Sequence, residues 1–358
     1  MNVPRATRWQ AVTATAAVVC LASACGGAPA PGGGGEEEQL HMGIAVANIG
    51  LNFASERVDG ATTAAAHAGG IDFQAVGPPN TDGPAEVKLF ENLVKTATDG
   101  VVLENLNPPL FTRPAAEAVD AGVPVVALDT APTEGSKVGF YVGNDNYELG
   151  EMLATELLER LPANPQGAVV VGVPNPGTPV LDNRAKGIID TLAEKAPGIT
   201  SLGPFQTYSD PNQNLSAWQA LVHANPNALA FLGVGDADSY DLAKIKADEN
   251  GQYLVAGADV DAKTLDAVKA GSAFVTIDPE HFLKGYVATA LLIRSVREGT
   301  PLPEGWLHMP GLVVDESNID AVIQRQTSPE AAYEFYQPEI DKILANPEAY
   351  LEPLADAR

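Results

Sequence analysis

The chain has 358 residues, 46 acidic against 21 basic side chains, a formal net charge of −25, and two cysteines. That length exceeds one compact core and points to about two domains, and 45% hydrophobic residues exclude wholesale disorder. A nucleic-acid partner is not expected, because displacing counterions needs a basic face. Both cysteines lie within the first 25 residues and cannot build a disulfide framework. Past the N-terminus no apolar stretch is long enough for a multi-span membrane protein.

Arg5 and Arg8 precede an apolar run over 11–22, which has signal-peptide length. The run ends in Leu21-Ala22-Ser23-Ala24-Cys25, which resembles a bacterial lipobox with the leucine one place further from the cysteine. The resemblance implies a signal peptide over 1–24 and lipidation of Cys25. The alternative is an ordinary signal peptide cut near Ala24, leaving a free thiol. Residues 26–38 are Gly/Pro-rich and then acidic, with nothing to pack, so 25–40 reads as a flexible leash. The chain is therefore expected outside the cytoplasm, anchored by lipid on the outer face of the membrane.

From there, short apolar runs alternate with amphipathic segments. Strands are predicted over 44–47, 71–76, 101–103 and 123–128, with helices over 54–68, 84–96 and 114–121 between them. A short strand over 138–142 and a helix over 147–161 lead into a second round. That round has strands over 168–173, 199–205, 228–232 and 254–258, with helices over 181–196, 211–224 and 237–249. Strands over 273–277 and 308–314 flank a helix over 281–297, and a helical acidic tail follows over 329–357. Runs that are apolar throughout suit parallel strands covered on both faces. The economical reading is α/β, with two doubly wound parallel-sheet lobes.

Ligands of open parallel sheets sit beyond the carboxyl ends of the strands. Both fourth strands end in aspartate, Asp129 and Asp259, and two convergent carboxylates suit a neutral polyhydroxylated ligand. For one Asp alone, capping of the next turn would suffice. Asn105 and Asp236 stand at the third strand ends, and Asn52 and Phe53 follow the first. Phe53 and Tyr208 could stack on a sugar face, and Trp218 reads as core.

The arrangement resembles the ribose/galactose type of periplasmic binding protein, the substrate-binding component of ABC sugar importers. Its carriers are Gly122-Val123-Pro124-Val125-Val126-Ala127-Leu128-Asp129, Val142-Gly143-Asn144-Asp145-Asn146 with Gly150, and Val255-Ala256-Gly257-Ala258-Asp259. Thr276-Ile277-Asp278-Pro279 and Gly285-Tyr286 also match, and the likeness runs from about 41 to about 319. It implies the type I periplasmic binding protein fold with a multi-strand hinge, an N-terminal lobe of 41–144 plus 279–309 and a C-terminal lobe of 145–278 plus 310–358. It also implies a monomer that closes on its ligand and docks on a membrane permease. Carried over by position, Asp129 and Asp259 match ligand carboxylates, Phe53 a stacking aromatic, and Tyr208 falls near another. Asp236 lies beside the family's polar third-strand residue, and Asp278 falls at a hinge-side glutamine segment. Asp182 stands where many relatives have arginine, while a second family arginine is matched by Arg184, so Asp182, Asn183 and Arg184 are the candidate replacements, and Thr130 likewise follows Asp129 where some have arginine.

A secreted carbohydrate-active enzyme is the first rival, but no Gly-x-Ser-x-Gly, His-Glu-x-x-His or phosphate loop occurs. His41, His67, His223, His281 and His308 lack metal-ligand spacing, and no metal or cofactor is expected. A nucleoside-binding or autoinducer-2 type receptor of the same fold stays open.

Overall fold

The computed structural model describes residues 39–358. The expected signal peptide, Cys25 and nearly all of the leash lie outside the described residues. The first lobe is built from β1 (Leu40–Ala45), α1 (Asn52–Ala68), β2 (Ile71–Val76), α2 (Gly83–Leu93), β3 (Gly100–Glu104), α3 (Pro108–Asp120), β4 (Val125–Leu128) and β5 (Phe140–Asn144). The second contains α4 (Asn146–Arg160), β6 (Gly167–Val173), α5 (Pro179–Lys195), β7 (Ile199–Gln206), α6 (Pro211–Ala224), β8 (Ala230–Gly233), α7 (Asp236–Glu249), β9 (Leu254–Ala258), α8 (Ala262–Lys269) and β10 (Val275–Asp278). The chain then returns through α9 (His281–Glu298) and β11 (Gly305–Met309), crosses to β12 (Leu312–Val314) and α10 (Ile319–Arg325), and ends with α11 (Pro329–Ala345) and β13 (Leu351–Glu352).

The duplication read from strand spacing is present in the topology. One sheet runs β2-β1-β3-β4-β5-β11-β13 and the other β7-β6-β8-β9-β10-β12, so the same strand order opens both. All pairings are parallel except β12 on β10 and β13 on β11, at the sheet edges. Central strands are apolar and buried along their length, as in β4 and β8, because helices cover both faces of each sheet.

In each lobe one helix pair packs so closely that glycine is required. A Cβ on Gly60 of α1 would lie 2.1 Å from the Phe282 carbonyl oxygen, and one on Gly285 of α9 would lie 2.2 Å from that of Arg57. The second lobe repeats this between α4 and α5: Gly150 faces the Arg184 carbonyl and Gly187 that of Tyr147, each at 2.1 Å. The contacts fall at Arg57 and Arg184, so this packing fixes where both guanidinium groups start.

Three expectations need correction. The single strand over 308–314 is two strands in different sheets, because Pro310-Gly311 breaks the run where the chain crosses between lobes. The third helix begins at Pro108, and Pro114 sits inside it. The tail does not belong wholly to the second lobe. Ala332, Tyr336, Ile340 and Ile343 lie along one face of α11 and are buried in the first-lobe core with Leu291 and Phe282, and β13 pairs with first-lobe β11. Only β12 and α10 join the second sheet side, so 310–358 is divided between the lobes.

Adding a methyl group at the close crossings should push the helices apart. Gly60→Ala and Gly187→Ala are each expected to cost about 1–3 kcal/mol, read from urea unfolding midpoints. Wild-type midpoints in both would contradict the crossings described.

Candidate functional site

Asp129 follows β4 and Asp259 follows β9, and their backbones are alike. Both adopt left-handed conformations, φ 64° and 69°, which aspartate tolerates better than most residues. Each N–H stays in its sheet, donating 2.9 Å to Val142 and Ile277 carbonyls respectively. Neither carboxylate caps the turn that follows. Asp129 accepts from Arg57 Nη2 and Lys284 Nζ, while Asp259 accepts from His281 Nε2 at 2.9 Å and lies 3.8 Å from Arg184 Nη1.

A continuous polar chain joins the two aspartates. Arg57 Nη2 also lies 2.9 Å from His281 Nδ1. A guanidinium only donates, so Nδ1 must accept and Nε2 must carry the proton given to Asp259. His281 is thus a neutral imidazole in one tautomer, assigned from this network. Its surroundings enforce that state: burial first, then Arg57 and Lys284, hold its pKa well below the usual range.

The charges around it divide unevenly. Burial pushes the Asp129 carboxyl up, but Arg57 and Lys284 together outweigh it and hold the acid below the ordinary carboxylate range. Burial lowers Lys284 to about 8 against the pull of Asp129. Asp259 has weaker partners, so burial raises it to about 6 despite Arg184 and Arg57. Behind this layer, Lys284 donates to Asn144 Oδ1 at 2.6 Å, and Asn144 Nδ2 donates 3.1 Å to the Met309 carbonyl. Arg184 is aimed by Asn146 Oδ1 at 3.0 Å and the Val234 carbonyl at 3.1 Å. Two interlobe crossings are therefore tied directly to the charged cluster.

Between the lobes lies a cavity with about 60 Å³ open to the centre of a water molecule, room for several waters. Arg57, Asp129 and the half-buried Phe53 line it from the first lobe, and Arg184, Asp236 and Asp259 from the second, with His281 between. Leu51, Leu106, Val180 and Leu181 supply apolar wall. The Arg57 guanidinium lies 4.8 Å over the Phe53 ring, so one face of that ring is covered. Asp236 Oδ1 is buried without a partner among the described residues. Burial, then Asp259 and Asp261, drive its carboxyl well above the ordinary range.

Five of the ten sequence-predicted binding residues line this cavity: Phe53, Asp129, Arg184, Asp236 and Asp259. The others do not. Asn52 Nδ2 donates to Glu56 Oε1, and Asn105 borders a small separate cavity under Leu103 and Phe111, because successive strand residues point to opposite faces. Asp182 Oδ2 accepts the Gly177 N–H at 2.9 Å, two residues and more than half a helical turn from Arg184. Tyr208 is 39% exposed, and its backbone carbonyl anchors Asn214. Asp278 is buried against Arg325 at 2.6 Å in the hinge region.

Sequence reasoning missed Arg57, His281 and Lys284. Arg57 is four residues after Phe53, hence on the same helix face. Lys284 stands in an apolar stretch of α9, where a buried lysine demands a carboxylate partner. Either signal was available.

Several carboxyls carry raised pKa values, which sets the pH dependence of stability. Burial, with Asp278, lifts Glu280 to about 8, and burial lifts Asp241 to about 7 against Lys263. A carboxyl raised in the folded state favours folding below its ordinary pKa, and that contribution is lost as pH climbs through the folded value. The unfolding temperature should therefore be higher at about pH 5 than at about pH 8. A flat or rising profile in calorimetry over that interval would contradict these environments.

A family model described as "Periplasmic binding protein domain" matches residues 42–300. The xylose/arabinose-binding protein XylF of Sulfolobus acidocaldarius is 22% identical over 234 residues, 61% of this chain and 57% of that protein. The ribose import binding protein RbsB of Bacillus subtilis is 23% identical over 208 residues, 58% of this chain and 66% of that protein. The matches thus span less than two thirds of these relatives' own lengths. Among solved structures, an ABC transporter solute-binding protein from Burkholderia graminis in complex with D-arabinose superposes with a TM-score of 0.73. It is 24% identical and covers 79% of this chain and 97% of its own, which establishes the shared fold.

Proposed function

The chain belongs to the periplasmic binding protein family, and from that premise we propose that it is the extracytoplasmic sugar-binding lipoprotein of an ABC importer. Its ligand is a neutral sugar, sugar alcohol or related polyol held between the lobes, and the closed form delivers it to a membrane permease. Lipid on Cys25 tethers the protein to the membrane. Relatives that carry xylose, arabinose or ribose in their names support the ligand class.

The observation that carries this reading is the facing of Asp129 and Asp259 across one cavity with their cations already paired. Arg57 and Lys284 neutralise Asp129, and Arg184 stands against Asp259. An ionic guest would have to displace one of these partners in a buried setting, which is costly. An uncharged polyol needs no displacement. Its hydroxyls can bond to the remaining carboxylate lone pairs and to the partnerless Asp236 Oδ1. Its C–H face can rest on Leu51, Leu106 and the Phe53 edge.

Ribose, xylose, arabinose, sugar alcohols and nucleosides should be screened by thermal shift and the hits titrated by calorimetry. A neutral polyol should raise the unfolding temperature, and Asp259→Asn should weaken its binding by about tenfold or more. A clear hit among amino acids or anions, with none among neutral polyols, would overturn the assignment.

A further inference from the structure

The tail is fixed to one lobe and holds the other. Along its length it belongs to the first lobe: α11 is packed into that core, β13 pairs with β11, and Leu354 and Ala357 lie against a first-lobe cluster that includes Trp306. Residues 329–358 also lie past the 42–300 span of the family match. Yet this segment bonds to second-lobe elements at two places, one towards each end.

The first grip is on α10, which Ile319 and Val322 hold in the second-lobe core. Arg325 Nη1 of α10 donates to the Tyr336 hydroxyl of α11 at 2.5 Å and to Asp278 Oδ2 at 2.6 Å. Asp278 ends β10, where the chain leaves the second lobe, and all three side chains are buried. The second grip is on the crossing from β5 to α4, where Asp145 divides its carboxylate. Oδ1 caps α4 by accepting the Tyr147 and Glu148 N–H groups at 2.9 and 3.1 Å. Oδ2 accepts from Arg358 Nη2 at 2.7 Å and Nε at 3.1 Å. An exposed arginine on one carboxylate would contribute little. Here the Asp145 side chain is 7% exposed, the Arg358 carbonyl accepts the Asn146 N–H at 2.7 Å, and the guanidinium lies 4.8 Å over the Tyr147 ring. Asn146 is the residue that aims Arg184.

We infer that 329–358 is a strap across the hinge, which grips the second lobe at α10 and at the start of α4 and favours the closed form before any ligand binds. This rests on the closure proposed above, not on the identity of the ligand. Swinging the lobes apart turns α4 and α10 against a tail that stays with the first lobe, so both grips must lengthen or give way to water. A bond present in one form and lost in the other shifts the balance by its net value, a factor of about two to ten for one hydrogen bond. Neither Tyr336 nor Arg358 borders the cavity, so the strap acts on the hinge and not on the ligand.

The test is the interlobe separation in the full chain without ligand, measured by pulsed electron paramagnetic resonance. Spin labels go on Leu110→Cys of the first lobe and Pro176→Cys of the second, both exposed and on opposite sides of the gap, with Cys20→Ser and Cys25→Ser in the background. Wild type should populate the short separation of this structure. Arg358→Ala and Tyr336→Phe should each raise the ratio of long to short separations by about twofold or more. Tyr336→Phe removes a single oxygen and Arg358→Ala a largely exposed side chain, so the two check each other. A wild type found only at the long separation, or an unchanged ratio in both variants, would overturn the strap. So would a lowered urea midpoint with an unchanged ratio, since the contacts would then hold only the fold. The readout needs no sugar, so a failed ligand screen and a failed strap are told apart.

Discussion

Buried carboxylates at the carboxyl ends of parallel strands must be matched by buried cations, and the rest of the site follows from that requirement. Asp129 and Asp259 leave their sheets through the same left-handed turn, and each is almost wholly removed from water. An uncompensated charge there would cost several kcal/mol or more. Compensation comes from helices that approach edge-on: Arg57 from α1, Arg184 from α5, and Lys284 from α9. The glycine crossings let these helices come close enough, since Gly285 faces the Arg57 backbone and Gly150 that of Arg184. Packing and electrostatics therefore meet at the same two residues in both lobes.

The duplication is broken at the centre by one asymmetric element. His281 stands four residues before Gly285 where the other half has Asn146 four residues before Gly150; each accepts from its arginine, but His281 also donates onward, joining Arg57 of the first lobe to Asp259 of the second. Further contacts cross between the lobes nearby. Gln326 of the second-lobe side donates 3.1 Å to Glu56 Oε1, and Arg325 reaches the Tyr336 hydroxyl on α11 at 2.5 Å. In the closure proposed here, opening the cleft would exchange these bonds for bonds to water, so each would contribute only modestly to the balance between open and closed. That is the condition under which a ligand touching both lobes can decide the equilibrium.

Much of the fold was legible because parallel strands buried on both faces write themselves as unbroken apolar runs, and because βα spacing repeats. The matched aspartates were legible for the same reason, as strand ends are easily counted. The limits were equally physical. Pro310-Gly311 splits a run that looks continuous, and periodicity is blind to which sheet each piece joins. The face of α11 reads as apolar, yet only tertiary packing assigns it to the first lobe. Within the site, proximity in sequence misled: Asn52, Asn105, Asp182 and Tyr208 sit beside cavity residues and point elsewhere. Arg57, His281 and Lys284 come from helices 72, 22 and 155 positions away from the aspartates they serve, so strand-end reasoning could not reach them.

The most direct measurement is a crystal structure of the chain with the tightest-binding neutral sugar. The account predicts one ring seated between the lobes, with hydroxyls within hydrogen-bonding distance of both the Asp129 and Asp259 carboxylates and its C–H face towards Phe53 and Leu51. A ring bound elsewhere, or one touching a single lobe while the two carboxylates face solvent, would contradict it.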